Sequence, residues 1–150
     1  RGLEGHPYLI KPNLRELSNL TGVDINRDDD LVRAARGLVE EDRVDNVVVS
    51  LGAGGALLVT REAQRWYRAP TVPIRSRVGA GDSMVGGIVY GLATDHGLSE
   101  AVRYGVAAGS AAVMTPGTQL CQAEDVRDLY ERVEVRPRRP SGAGKKSFDE

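Results

Sequence analysis

Short apolar runs alternate with longer amphipathic stretches along this chain, and the two periods read in turn as strands and helices. Tyr8-Leu9-Ile10 is a brief apolar run ended by Pro12, as expected of a buried strand whose C-terminal end reaches Asn13. Leu14 to Leu20 reads as a short helix stopped at Gly22. Asp28-Asp29-Asp30 is an acidic helix start, after which Leu31, Ala34, Ala35, Leu38 and Val39 recur at helical spacing. Val47-Val48-Val49 is β-branched, too short for a helix and apolar on both faces, as in a parallel strand. Gly52 to Gly55 turns the chain, and Ala56 to Thr60 and Gln64 to Arg68 predict two more strands. A helix from about Ser83 to Asp95 follows, halted by His96-Gly97, and then one from Ser99, an N-cap with Glu100 behind it, to Met114. Glu124 to Arg132 closes the series as a last short helix. The second long helix carries Gly105, Ala107, Ala108, Gly109, Ala111 and Ala112, so a neighbouring backbone can lie close to it. Together these predict an α/β fold: a partial parallel sheet with covering helices.

Composition narrows the picture in a few places. At 150 residues the chain can bury a core as one domain. Its net charge of −1 and pI of about 6.2 give no global field for nucleic acid or an anionic membrane, so neither is expected as a partner. A lone cysteine, Cys121, excludes an internal disulfide framework and suits a reducing, cytoplasmic setting; it reads as a packed small residue. The most apolar stretch, Gly105 to Met114, is too short to span a bilayer. From Arg136 to Lys146 there are five basic residues, no acidic ones, two prolines and two glycines. Residues 136–150 therefore read as a disordered tail beyond a folded part of residues 1–135. Trp66 and Tyr67 are expected to cover core, and His6 and His96 to have no chemical role.

One segment carries chemistry: Val78-Gly79-Ala80-Gly81-Asp82-Ser83, a glycine turn opening a helix. The first N–H groups of a helix lack intrahelical partners and sit at the positive end of the dipole, and glycines let an anion approach them. A carboxylate beside a phosphate site makes sense if Asp82 takes a proton from a hydroxyl attacking that phosphate. Asp82 as a plain helix cap is the other reading. The segment is not G-x-G-x-x-G, because Met84 holds the third glycine position. Gly144-Lys145-Lys146-Ser147 is no P-loop either, since Arg139 stands where its first glycine belongs. Lys11 to Asn13, Ser50 to Gly55, Ser76 to Asp82 and Thr115 to Thr118 are glycine- or polar-rich segments, each expected to follow or flank a strand, and four such loops could surround one nucleotide.

The order and wording of these segments resemble the ribokinase-like (PfkB) carbohydrate kinases, at the C-terminal half of the family fold, and most of all the minor 6-phosphofructokinases among them. The matching stretches are KPNLREL (Lys11 to Leu17), VVVSLGAGGAL (Val47 to Leu57), VGAGDSMVGG (Val78 to Gly87) and GVAAGSAAVMTPGTQLC (Gly105 to Cys121). The resemblance implies Asp82 as catalytic base and Gly79, Ala80 and Gly81 as the anion hole. It places Lys11 and Asn13 on the nucleotide side, with Asn13 and Glu16 forming an N-x-x-E motif linked to Mg²⁺ and phosphate. Ser50, Gly52 and Gly55 match the loop beside the nucleotide. Ser76, Val78, Ala112, Thr115, Gly117 and Gln119 align with positions that cradle a monovalent cation such as K⁺. Three positions depart from the pattern: Arg77 stands where threonine is common, and Thr115 and Gln119 where asparagine and arginine are usual. Arg77 could pair with phosphate oxygens.

The function so implied is transfer of the γ-phosphate of Mg-ATP to a hydroxyl of a hexose phosphate, fructose 6-phosphate above all, by a homodimeric enzyme of which this chain is the C-terminal portion. The family's small lid and sugar-holding residues are expected to lie outside the chain, leaving it inactive alone. A non-catalytic nucleotide-binding remnant, or a half-domain that needs a partner, is the alternative.

Overall fold

A computed structural model of the chain describes residues 6–52, 55–75, 79–94, 96–114 and 123–137, with the side chains of residues 123–125 left out. The chain divides into two compact units, the first holding the described residues up to Gly52 with Ala56–Trp66 and residues 136–137, the second Gly55 and the described residues of Tyr67–Val135.

In the first unit, β1 (Leu9–Ile10) leads through α1 (Leu14–Thr21) and α2 (Asp28–Glu40) to β2 (Asn46–Ser50), and β3 (Ala56–Val59) and β4 (Gln64–Arg68) follow. α1 is bounded as its sequence requires. Asn13 caps it, and Gly22 ends it at φ 73°, a left-handed conformation that favours glycine. β1 and β2 are parallel, with Leu9 opposite Asn46 and Ile10 opposite Val47. β3 returns antiparallel to β2, placing Val48 opposite Leu58 and Ser50 opposite Ala56. The sheet is therefore mixed, not wholly parallel. Five residues, 51 to 55, separate β2 from β3, too few for the crossover a parallel pair needs. Val47, Val49, Leu57 and Val59 share a core with Leu14 and Leu17 of α1, with Leu31, Ala34, Ala35, Leu38 and Val39 of α2, and with Trp66. Arg36 ties α2 to the β3–β4 turn, its guanidinium donating to the carbonyls of Thr60 at 3.3 Å and Ala63 at 3.4 Å.

The second unit is mainly α3 (Ala80–Ala93), α4 (Leu98–Met114) and α5 (Ala123–Arg132), and the short strand β5 (Glu134–Arg136) that follows has its last residue in the first unit. The strands join in the order β1-β2-β3-β4-β5. β5 was not expected, and it takes in Arg136, the first residue of the expected tail; residues 138–150 lie outside the described residues. α3 begins three positions before the expected Ser83, because the glycines themselves enter the helix after Gly79. Ser99 is not an N-cap but lies inside α4, where its Oγ meets the Tyr67 hydroxyl at 2.8 Å; that hydroxyl also lies 2.8 Å from the Ser99 carbonyl. α3 and α4 pack through small residues. A Cβ added to Gly87 would stand 2.7 Å from the Tyr104 carbonyl oxygen, and one added to Gly91 would stand 2.6 Å from the Ala101 Cα. Arg103 of α4 donates to the Tyr130 carbonyl at 2.9 Å and lies over the Tyr130 ring at 4.4 Å, holding the end of α5.

Candidate functional site

In the first unit the parallel pairing of β1 and β2 sets their C-terminal ends side by side, the edge at which open α/β sheets bind ligands. Asn13 extends the pairing by a parallel bridge to Ser50, and the Ser50 N–H donates to the Pro12 carbonyl at 3.0 Å. Asn13 Oδ1 accepts from the Glu16 N–H at 2.8 Å while Glu16 Oε1 accepts from the Asn13 N–H at 2.9 Å. Lys11 is half-buried just before them, and Gly52 lies beyond Ser50 at φ 64°. Lys11, Asn13, Glu16, Ser50 and Gly52 are thus gathered on one edge.

In the second unit the glycine turn forms the start of α3. Gly79 is the N-cap at φ 82°, and the first intrahelical bond is Ser83 N–H to the Gly79 carbonyl at 2.9 Å. The N–H groups of Ala80, Gly81 and Asp82 precede it and have no intrahelical acceptor. Among the described residues, a Cβ at either Gly79 or Gly81 would meet nothing within 4 Å, so these glycines leave the approach to the donors open. Asp82 is exposed at the third helical position. Because Gly79 occupies the cap and α3 has no side-chain cap hydrogen bond, Asp82 is not the N-cap of this helix. What seats this turn is α4: a Cβ on Gly109 would lie 3.5 Å from the Ala80 carbonyl oxygen, and one on Gly105 2.8 Å from that of Met84. Sequence reading saw these glycines as a packing face without seeing which helix they admit.

Other expected site residues fall out differently. Gly55 is buried at φ 114°, and a Cβ there would stand 1.8 Å from the Tyr67 carbonyl oxygen. Close backbone approach accounts for that glycine. Ala112 is buried in α4, one residue before Val113, whose carbonyl accepts from the Arg75 N–H at 2.6 Å. That bond brings the chain entering the Ser76–Val78 segment beside the end of α4. Ser76, Arg77, Val78, Thr115, Gly117, Gln119 and Cys121 lie outside the described residues.

Charge chemistry elsewhere is local. His6 Nε2 lies 2.8 Å from Asp45, and Arg61 pairs with Asp42 and, at 3.7 Å, with Asp45. The Asp45 hydrogen bond raises the His6 pKa, and the same bond lowers that of Asp45. Burial first, and then its hydrogen bond to Glu100, push the Tyr130 phenol up to about 12. Among the described residues no group of three or more His, Cys, Asp or Glu could hold a metal ion, and no helix is long and apolar enough to cross a membrane.

Residues 1–125 match the pfkB family carbohydrate kinases. The chain belongs to that family. This pfkB-family chain is 45% identical over 126 residues to the ATP-dependent 6-phosphofructokinase isozyme 2 of Escherichia coli K12, covering 84% of this chain and 41% of that protein. It is 36% identical over 136 residues to the 1-phosphofructokinase of the same strain, covering 91% of this chain and 43% of that protein. The crystal structure of the Escherichia coli phosphofructokinase-2 in complex with potassium superposes with a TM-score of 0.81 at 44% identity, over 85% of this chain and 41% of that one. The pfkB-family chain thus spans about two-fifths of the length of these relatives, and within that span it has their ribokinase-like α/β fold.

Proposed function

We propose that the chain supplies the nucleotide-side and phosphoryl-transfer groups of an ATP-dependent sugar-phosphate kinase, with fructose 6-phosphate as the acceptor. The observation that carries this reading is the start of α3: donor N–H groups without intrahelical acceptors, two glycines that put no side chain in the approach, and an exposed carboxylate at the third helical position. These features fit a phosphate. The N–H groups of Ala80, Gly81 and Asp82 would hold the charge that develops on the transferred phosphoryl oxygens, and one donor of that kind is worth about 10²–10³-fold in rate. Asp82 would receive the proton of the attacking sugar hydroxyl, worth about 10²–10⁴-fold. Lys11, Ser50 and Gly52 would face the nucleotide from the β1–β2 edge. Mg²⁺ bound with ATP supplies neutralisation of the phosphate charge. Backbone carbonyls of Ser76, Val78, Ala112, Thr115, Gly117 and Gln119 would take a monovalent cation, a reading that the potassium complex of the relative supports. The relatives act on different phosphofructoses by name, so fructose 1-phosphate is the acceptor to compare first. A homodimer, checked by sedimentation, and a cytoplasmic setting belong to the same proposal.

Asp82→Asn tests this reading in the enzyme that carries the chain. The amide keeps the size of the side chain but cannot accept a proton, so turnover with fructose 6-phosphate should fall by about 10²–10⁴-fold while MgATP affinity holds. Turnover at the wild-type rate would refute the assignment of Asp82 as base.

A further inference from the structure

We propose that Met84 is a positioning residue for phosphoryl transfer: seated on Gly105 and Gly109 of α4, it sets the rotation of α3 and so the aim of Asp82 and of the donor N–H groups. The proposal rests on the reading of the α3 start given above. The glycine turn does little to fix that aim by itself. Glycines at 79 and 81 constrain the backbone least, and α3 has no side-chain cap hydrogen bond. Gly81 and Asp82 are exposed, and Ala80 and Ser83 are half-buried. Met84 is the first buried side chain of α3, at 6% exposure, and the next is Ile88, one turn on.

The seat is made by α4. A Cβ on Gly105 would stand 3.2 Å from Met84 Cγ, and one on Gly109 would stand 3.9 Å from both Cβ and Cε of Met84. The thioether side chain therefore lies along two glycines that are four positions apart, on one face of α4. At 3.6 residues per turn, Met84 is about 200° around α3 from Asp82. Burying the one turns the other outward. Position 109 also faces the donor turn, since its added Cβ would lie 3.5 Å from the Ala80 carbonyl oxygen. Without the Met84 side chain the first anchor of α3 recedes to Ile88, and a full turn bearing Asp82 is free to rotate. A misplacement of about 1 Å can cost about 10²-fold in rate.

The experiment compares Met84→Ala, Met84→Leu and Ile88→Ala in the enzyme that carries the chain. It measures kcat and KM with MgATP and fructose 6-phosphate, urea midpoints, and the amide NMR shifts of Gly81 and Asp82. Met84→Ala is expected to lower kcat by about 10–10²-fold with the KM for MgATP held, and to move both amide signals. Met84→Leu, which conserves volume, is expected to restore both. Ile88→Ala is expected to lower the urea midpoint as far as Met84→Ala while keeping kcat. In an Asp82→Asn background Met84→Ala is expected to cost little more, because the two changes disable one function. Should Met84→Ala not fold, Met84→Val carries the same comparison. Wild-type kcat in folded Met84→Ala overturns the proposal, as does an equal loss of kcat in Ile88→Ala, which would make Met84 merely structural. If Asp82→Asn alone turns over at the wild-type rate, the reading of the site fails instead. The amide shifts still decide the positioning role in that case, and unmoved signals overturn it.

Discussion

Gly105→Ala is the sharpest test of how α4 seats the phosphate-site helix. The added Cβ would fall 2.6 Å from Ile88 Cγ1, 2.8 Å from the Met84 carbonyl oxygen and 3.2 Å from Met84 Cγ. The backbone oxygen cannot yield unless α3 moves, and overpacking of this kind costs about 1–3 kcal/mol. Replacing a helical glycine with alanine also stabilises by up to about 1 kcal/mol, which would mask part of that cost. Gly86→Ala removes the ambiguity: it makes the same exchange in α3, where a Cβ meets nothing within 4 Å among the described residues. The propensity gain cancels between the two variants, so their difference reports the clash alone. Urea unfolding should place Gly86→Ala at or above the wild type and Gly105→Ala about 1–3 kcal/mol below Gly86→Ala. In a chain of this size each kcal/mol corresponds to about 2–4 °C in Tm. Equal midpoints for the two variants would refute the close approach of α3 and α4.

Gly81→Val should fold normally, since its site is open and valine is no worse a helix former than glycine, yet lose about 10²-fold in phosphoryl transfer by blocking the α3 donors; an unchanged rate would count against the anion-hole reading. The bond to Asp45 raises the pKa of His6, so its contribution is complete below the ordinary value of 6.5 and fades as pH rises through the raised folded value. The Asp45 pKa is lowered, so its share is present above the ordinary 3.8 and lost as pH falls through the folded value. Protection of the Asp45 N–H, which donates to the Pro7 carbonyl at 3.2 Å, should therefore drop from pH 6 to pH 8 after correction for intrinsic exchange, and His6→Gln should abolish the drop. Tyr130, held at about 12 by burial and Glu100, should ionise at lower pH in Glu100→Gln when ultraviolet absorbance is followed.

Local patterns in the sequence determined most of the elements. The run of three valines is β2, the Asp-rich start and apolar spacing are α2, and Asn13 and Gly22 bound α1. Each of these signals lies within a few residues of the structure it specifies. The glycine turn at Gly79 to Asp82 was legible for the same reason, because a helix start and a carboxylate near it are local facts. What only the tertiary structure decided involves residues far apart in the chain. Gly55 yields to the Tyr67 carbonyl, Ser99 to the Tyr67 hydroxyl, and Gly105 and Gly109 to the first turns of α3. The three residues of β5 form a strand as the last member of the sheet, without an apolar run of their own to announce it. Glycine has a low helix propensity, so the true start of α3 was hidden until α4 supplied the surface on which it packs. Glu16 was ambiguous for another reason: its spacing from Asn13 allows both a cap and a cation ligand, and the folded turn shows one of its oxygens on the Asn13 N–H.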